Sequence, residues 1–464
     1  MVLSLLFFLL SCKYGKEELQ QPNIILIVAD DLGYSDLSCY GSPLIETPYL
    51  DQLAAGGMQF MNGYAAAPLC SPTRASIVTG LNPARINLTE HIHGHPPTPS
   101  TQMLVTPKTE QGLDTSLTTI PEVLKNQGYQ TAHIGKWHLG GGATSPQFHG
   151  YDMVYGGSWA GLPATFFYPF FNGEAYPELK EDSKKGDYLT DVLTDKALRY
   201  IETNKEEKFY LSLCYYAPHV PIEGKEDLVE KYQAKADQIG VALPNPHYAA
   251  MVEAIDNNVG RLMQKVEELG LSKNTLIVFT SDNGGLDVKE FPAFARHTPP
   301  TTNAPLRAGK GYIYEGGIRE PFILHWKGVI NHGIHSAVPI STNDLFNTFS
   351  SLSKAKNRTS DGIDLSPLFQ GESLPDRNLY WHFPHYSPQR GKPGGVIRSG
   401  DYKLITWYET DKVELFNLSE DIGETNNLAK QMQNKVQEMK YAFNLWKKEV
   451  GAIEATLNPE YMGQ

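Results

Sequence analysis

The chain has 464 residues, is 41% hydrophobic and carries a formal net charge of −12. That length suits one large domain plus a smaller one, and that apolar share supplies a substantial core, so wholesale disorder is excluded. The negative charge, without any basic tract or groove-binding motif, speaks against nucleic acid as a partner.

The amino-terminal stretch Val2 to Leu10 is apolar but too short to span a bilayer as a helix. It fits the apolar core of an export signal, although no basic segment precedes it. Leu9-Leu10-Ser11-Cys12 looks like a bacterial lipobox, which would be cleaved before Cys12 and lipidated on its thiol. The expectation is an exported protein, periplasmic or anchored to the outer membrane, with residues 1–20 as signal and tether. A generic signal peptide that happens to contain cysteine is the alternative. No later segment is long and apolar enough to be a membrane span.

Asn23 to Ala29 is a continuous apolar run, as expected for a strand buried on both faces, and it stops at Asp30-Asp31-Leu32-Gly33. Pro48 to Ala55 reads as a helix ended by Gly56-Gly57. Tyr129 to Ile134 is a shorter strand leading to Gly135-Lys136-Trp137-His138, after a short helix from Pro121 to Gln127. Tyr188 to Glu202 and His247 to Leu269 carry apolar residues at helical spacing, a core-facing pattern with no cofactor role. Between them, Phe209 to Tyr216 leads to Ala217-Pro218-His219, and after them Thr275 to Thr280 stops at Ser281-Asp282-Asn283-Gly284-Gly285. Helices alternating with apolar strands predict an α/β fold whose large, mostly parallel sheet is covered on both faces. In such sheets ligands bind beyond the carboxyl ends of the strands, and here four strands each end in chemically capable groups.

The polar stretch around Ser351 to Pro375 reads as a boundary, placing a catalytic domain at 21–360 and a C-terminal subdomain at 361–464. Within the latter, Gly394 to Ser399, Tyr402 to Tyr408 and Val413 to Leu418 predict a small antiparallel sheet, and Leu428 to Val450 a helix. Two long loops, His91 to Gln111 and Leu286 to Gly309, stand apart as functional candidates.

The run Cys70-Ser71-Pro72-Thr73-Arg74 opens a helix in an unusual way. Pro72 suits a first helical position, and Ser71 or Thr73 can cap the exposed amides. Cys70 would then sit at the positive end of a helix, where an anion is also held. Cys39 and Cys214 remain and make no disulfide framework, nor is there a Cys/His cluster of zinc-finger spacing. His91, His93 and His95 alternate without an evident partner ligand set, so a substrate-contact or ordinary loop role is preferred over a metal site. Asp30, Asp31 and Asp282 crowd three carboxylates beside the neutral carbonyl of Asn283. Such a cluster repels itself unless a cation compensates it, and Ca2+ accepts this oxygen set with tolerant geometry.

Cys-x-Pro-x-Arg resembles the modification motif of the type I sulfatases, of the alkaline phosphatase-like superfamily. Gly135-Lys136-Trp137-His138-Leu139-Gly140, Ala217-Pro218-His219 and Gly309-Lys310-Gly311 are similar to further motifs of that family. The likeness runs from about Pro22 to the C-terminal helix. It implies that Cys70 is oxidised to formylglycine by a maturation enzyme, and that Asp30, Asp31, Asp282, Asn283 and the modified Cys70 bind calcium. It implies that Arg74 braces the formylglycine, that Lys136 and Lys310 bind sulfate oxygens, and that His138 assists removal of the second hydroxyl proton of the aldehyde hydrate. His219 would be the general acid for the departing alcohol, and Asp282 could also accept the first proton from the hydrate.

The function expected is a calcium-dependent sulfatase, exo-acting on sulfated glycans. One alternative is a phosphomonoester or phosphonate-ester hydrolase on the same scaffold, another a noncatalytic glycan-binding lipoprotein. His93, His95, Trp159, Arg296, His297, His382 and His385 lie in loops that could border a pocket, and Trp159 could stack on a sugar; none is assigned as a site.

Overall fold

The computed structural model describes residues 19–92, 97–171, 176–290, 292–356 and 359–463. Val2 to Leu10, Cys12, His93 and His95 lie outside them, so the export and lipobox expectations and two of the three alternating histidines have no structural counterpart. Eight strands form the large sheet: β1 Asn23–Ala29, β2 Met58–Phe60, β3 Gln130–Gly135, β4 Met153–Tyr155, β5 Phe209–Cys214, β6 Thr275–Ser281, β7 Phe322–His325 and β8 Ile334–Ser336. Their spatial order is β8-β2-β7-β6-β1-β5-β3-β4. Pairings of β1 with β5 and β6, of β3 with β4 and β5, and of β8 with β2 are parallel, while β7 runs against β6 and β2.

β1 lies in the middle, which explains its unbroken apolar sequence. Ile25, Ile27 and Ala29 join the core on one face, and Ile24, Leu26 and Val28 the core on the other. Each large aliphatic side chain taken fully from water contributes about 1.5–3 kcal/mol. The helices α1 Pro48–Ala55, α2 Cys70–Thr79, α3 Ile120–Lys125, α4 Leu189–Thr203, α5 Glu226–Ile239 and α6 Pro246–Glu268 follow in order. Leu189, Val192, Leu193, Ala197 and Ile201 of α4 bury on one face of the sheet with Tyr248, Val252, Ile255, Val259, Leu262 and Val266 of α6, as their spacing predicts. The one-turn helix α7 Glu315–Ile318 precedes β7, and α8 Asp344–Leu352 packs on the opposite face.

The small sheet is antiparallel in the order β9 Asn378–Phe383, β10 Gly394–Ser399, β11 Tyr402–Trp407, β12 Val413–Asn417. Strand β9 adds a member beyond the three expected, although Leu379, Trp381 and Phe383 alternate inward. One face of this sheet carries α9 Gln433–Val450 through Met439, Phe443, Trp446 and Val450. The other face presents Val396, Ile405 and Phe416 to Tyr64, Ile313 and Ile318 of the larger unit. Leu365, Leu368 and Phe369 bury under the large sheet, so the chain leaves that core between Phe369 and Asn378.

Candidate active site

Strands β1, β3, β5 and β6 end at the same edge of the sheet. The register Ala29↔Ser281 sets Asp30 beside Asp282, and Gly135↔Cys214 brings the segment carrying Lys136 and His138 beside the one leading to His219. Gly135 turns here with φ +96°; a Cβ would lie 1.9 Å from the Cys214 carbonyl, which instead accepts the Lys136 N–H at 2.7 Å. Asp31 and His138 both adopt left-handed backbone, φ 63° and 55°, costing about 1–2 kcal/mol each. Asp31 is held in it by donating its N–H to Asp282 Oδ1 at 3.2 Å.

Helix α2 begins at Cys70, so Pro72 is its third residue rather than its first. Its missing N–H still falls among the unpaired amides of the first turn. Neither Ser71 nor Thr73 caps the helix. The Ser71 hydroxyl donates to His138 O at 2.9 Å and accepts from Ile92 N at 3.2 Å, while Thr73 Oγ1 exchanges bonds with Ala67 N and O at 3.1 and 3.0 Å. These side chains pin the helix start to its surroundings and fix the Cys70 sulfur 3.4 Å from Asp30 Oδ1 and 3.9 Å from Asp31 Oδ1.

Three carboxylates and three cations meet around that sulfur. Lys136 Nζ donates to Asp30 Oδ2 at 2.6 Å, and Lys310 Nζ to Asp31 Oδ2 at 2.7 Å. The Arg74 fork grips Asp282 Oδ2, with Nε and Nη2 both at 2.7 Å, and Nη1 donates to Lys136 O at 3.0 Å. Arg74 therefore braces Asp282 and the Lys136 backbone directly. It also leaves Asp282 Oδ2 occupied. The carboxylates are not uncompensated as the sequence suggested. Even so, burial pushes Asp30 up to about 7, with Asp282 and Asp31 adding to the effect against Lys136. Burial, then Asp282, also push the Cys70 thiol far above its usual range, so an unmodified thiol stays protonated at neutral pH.

The donor set fits a hard cation. Among the described residues, Asp30, Asp31, Cys70 and His219 bring potential ligand atoms within 4.8 Å of one another. Asn283 Nδ2 donates to Asp31 Oδ1 at 2.7 Å, while the buried Oδ1 has no hydrogen-bond partner. Carboxylate oxygens plus a free amide carbonyl are ligands a calcium ion takes. His219 stands differently: its Nδ1 lies 2.9 Å from Val220 O, and its Nε2 is 3.0 Å from Lys310 Nζ and 3.5 Å from Asp31 Oδ2. With Nδ1–H donating to the carbonyl, Nε2 accepts from the Lys310 ammonium. Burial and then Lys310 hold His219 well below the usual imidazole range, with Asp31 opposing. Burial and then Lys136 do the same to His138, whose Nδ1 has no hydrogen-bond partner.

The other loop candidates make their contacts elsewhere. His382 bonds Tyr408 Oη at 2.6 Å and Ile453 O at 2.9 Å within the C-terminal subdomain. His385 is buried against Thr89 and Glu90. His297 stacks on His247 with centroids 3.8 Å apart. Trp159 is 64% exposed beside Gly141. Sequence reasoning missed the scaffold behind Asp31. There Asp36 accepts from Tyr248 Oη at 2.7 Å and Thr301 Oγ1 at 2.8 Å, and Tyr248 Oη also reaches Asp31 O at 3.3 Å. No spacing signal links residues so far apart in sequence.

Two family patterns match the chain: Sulfatase over residues 22–355, and N-sulphoglucosamine sulphohydrolase, C-terminal, over 308–449. N-acetylgalactosamine-6-sulfatase of Mus musculus is 34% identical over 437 residues, covering 88% of this chain and 76% of the relative. Arylsulfatase A of Homo sapiens is 32% identical over 426 residues, covering 85% and 76%. Among solved structures, Ps i-CgsB in complex with k-i-k-neocarrahexaose is similar with a TM-score of 0.77 and 30% identity, covering 92% of this chain and 93% of that one. The phosphonate monoester hydrolase of Agrobacterium radiobacter shares the fold, with a TM-score of 0.63 at 17% identity, over 93% and 96% of the two chains.

Proposed function

The chain belongs to the sulfatase family of the alkaline phosphatase-like superfamily and is a sulfuric ester hydrolase, and from that premise we propose a calcium-dependent, formylglycine-bearing enzyme that acts on the ends of sulfated glycans. The observation that carries this reading is the Cys70 sulfur at the start of a helix, 3.4 and 3.9 Å from Asp30 and Asp31, which Lys136 and Lys310 pair, with His219 close by. A sulfate monoester is an anion, so fixed cations must receive it before any nucleophile can approach.

Lys136 and Lys310 bind the sulfate oxygens. Formylglycine, made from Cys70 by a maturation enzyme, presents two hydroxyls on one carbon when hydrated. Its first hydroxyl would supply the nucleophile that displaces the alcohol from sulfur, and Asp282 would take the proton that hydroxyl gives up. His219 gives a proton to the departing alcohol. An anionic ester beside the ring favours the imidazolium, so His219 takes up that proton once substrate is bound. His138 would take the proton of the second hydroxyl as sulfate is released. A protonated thiol offers no such release. Asp30, Asp31, Asp282, Asn283 and the oxidised side chain would hold calcium, which would supply positive charge to orient the sulfate and the nucleophile.

Deep burial of the reacting groups suits entry of a chain end over passage of an internal residue, which supports exo action; Cys70 is only 3% exposed. Sulfated carbohydrate as substrate is supported by a relative named for N-acetylgalactosamine 6-sulfate and a neighbour solved with a neocarrahexaose. The lipobox at Leu9 to Cys12 supports an exported, lipid-anchored location. Turnover of 4-nitrophenyl sulfate and 4-nitrophenyl phosphate at matched concentrations tests the reaction class. Sulfate cleavage that is lost on chelation and restored by calcium is expected; faster phosphate cleavage would favour a phosphoester hydrolase on the shared fold.

A further inference from the structure

We propose that Lys403, on β11 of the small sheet, is a positioning residue for the active site: through Glu315 it holds α7, and through α7 the backbone carrying Lys310 and Asn283. The proposal rests on the functional reading in which Lys310 binds sulfate and Asn283 binds calcium.

Helix α7 is a single turn, Glu315-Gly316-Gly317-Ile318. One turn with two glycines has no stability of its own, since nucleation costs more than its few hydrogen bonds return. It is held from outside by charge. Lys403 Nζ donates to Glu315 Oε1 at 2.9 Å and lies 2.8 Å from Glu424 Oε1. Glu315 Oε2 accepts from Arg319 Nε and Tyr64 Oη, both at 2.7 Å, and the Glu315 N–H donates to Glu424 Oε2 at 2.6 Å. Lys403 and Glu315 are fully buried, so neither finds water as a substitute partner.

The glycines of α7 explain where this grip is felt. A Cβ on Gly284, next to Asn283, would lie 1.8 Å from Gly316 O, and the Gly284 N–H donates to Gly317 O at 3.1 Å. On the other side, Gly316 N donates to Arg307 O at 2.9 Å, and a Cβ on Gly317 would lie 2.0 Å from Tyr312 O. The turn is thus wedged, backbone against backbone, between segments 283–285 and 307–312. Lys310 N closes the assembly by donating to Gly285 O at 3.1 Å. Side chains do not cushion these contacts, so a displacement of α7 passes directly to Asn283 and Lys310. The small sheet therefore serves as a brace for one wall of the site.

The test compares Lys403→Met with Phe443→Leu, which loosens the opposite face of the same sheet without touching Glu315. Calcium affinity by titration calorimetry and KM and kcat for 4-nitrophenyl sulfate are measured below the unfolding temperature of each variant. Lys403→Met is expected to weaken calcium binding and raise KM by about tenfold each, with a smaller change in kcat, because a small misplacement is costly at a preorganised site. Lys403→Arg, which keeps the charge, recovers most of both losses; Phe443→Leu lowers the unfolding temperature and moves neither. Unchanged calcium affinity and KM in folded Lys403→Met, or equal losses in Phe443→Leu, would overturn the brace. Should Lys403→Met not fold, Glu315→Gln carries the comparison with the same outcomes. Wild-type protein that neither binds calcium nor cleaves the ester contradicts the functional reading and the brace together; a competent wild type with unmoved variants contradicts the brace alone.

Discussion

Two buried charge clusters lie on either side of α7, and their charges are balanced in different ways. Beneath it, Glu315 pairs with Arg319 and Lys403, and Glu424 lies against Lys403 and accepts the Glu315 N–H. At the sheet edge, Asp30, Asp31 and Asp282 also face Arg74, Lys136 and Lys310, yet Asn283 Oδ1 and His138 Nδ1 stay buried without hydrogen-bond partners and two residues hold left-handed backbone. In the first cluster each charge has an opposite partner at 2.7–2.9 Å, although Glu424 too holds left-handed backbone, φ 52°. The second is arranged for groups the chain does not supply, a cation and an anionic ester. An unpaired buried carbonyl reduces stability, and that of Asn283 lies beside the carboxylates, where a cation would satisfy it.

The comparison breaks most easily at Cys70. Cys70→Ala is expected to lower kcat/KM by about 10⁴-fold or more while leaving the unfolding midpoint of calcium-free protein nearly unchanged, because the side chain at 70 makes only long contacts with Asp30 and Asp31. A large stability loss would show that the edge cluster is structural. His219→Ala should cost about 10²–10⁴-fold in kcat. The loss should be greater for a sulfated sugar than for 4-nitrophenyl sulfate, whose alcohol leaves without a proton; equal losses would remove the proton-donor role.

Glu315→Ala sharpens the other side. It strands Lys403 and Arg319 in the interior, and denaturant unfolding should show a loss of about 3–5 kcal/mol. A loss below about 1 kcal/mol would mean that water reaches the network. Calcium at about a hundred times its dissociation constant should raise stability by about 2.7 kcal/mol in wild-type protein. Asn283→Ala should abolish most of that gain, and an undiminished calcium response in that variant would displace Asn283 from the ligand set.

The smallest effect concerns pH. Burial pushes Glu424 from 4.5 up to about 7 against the pull of Lys403. Folding thus favours its protonated form, so its contribution is whole below pH 4.5 and is lost as pH rises through about 7. Glu424→Gln is neutral throughout and should show a flatter stability profile across that window, by on the order of 2 kcal/mol. Parallel profiles for the two proteins would contradict this assignment.

Much of the sheet edge was legible because its signals are local. An apolar run that stops at Asp30-Asp31 or Asp282-Asn283 announces both a buried strand and the reactive turn beyond its end. The C-terminal helix and three small strands were likewise written in short patterns. What escaped depends on distance or conformation. Arg74 meets Asp282 across 208 positions, and Lys403 meets Glu315 across 88. The left-handed turns at Asp31 and His138 leave a weak signal, because Asp and His adopt that backbone more readily than most residues but still seldom. Ser71 and Thr73 have the chemistry of caps but find better partners in His138 O and Ala67, as tertiary context outbids a local preference.

The central claim is that position 70 reacts through oxygen and not through sulfur. Peptide mass spectrometry across Cys70, on active protein purified from its native host, reads this directly. The account predicts that the thiol is replaced by an aldehyde or its hydrate in the catalytically competent fraction. An intact cysteine in fully active protein would contradict it.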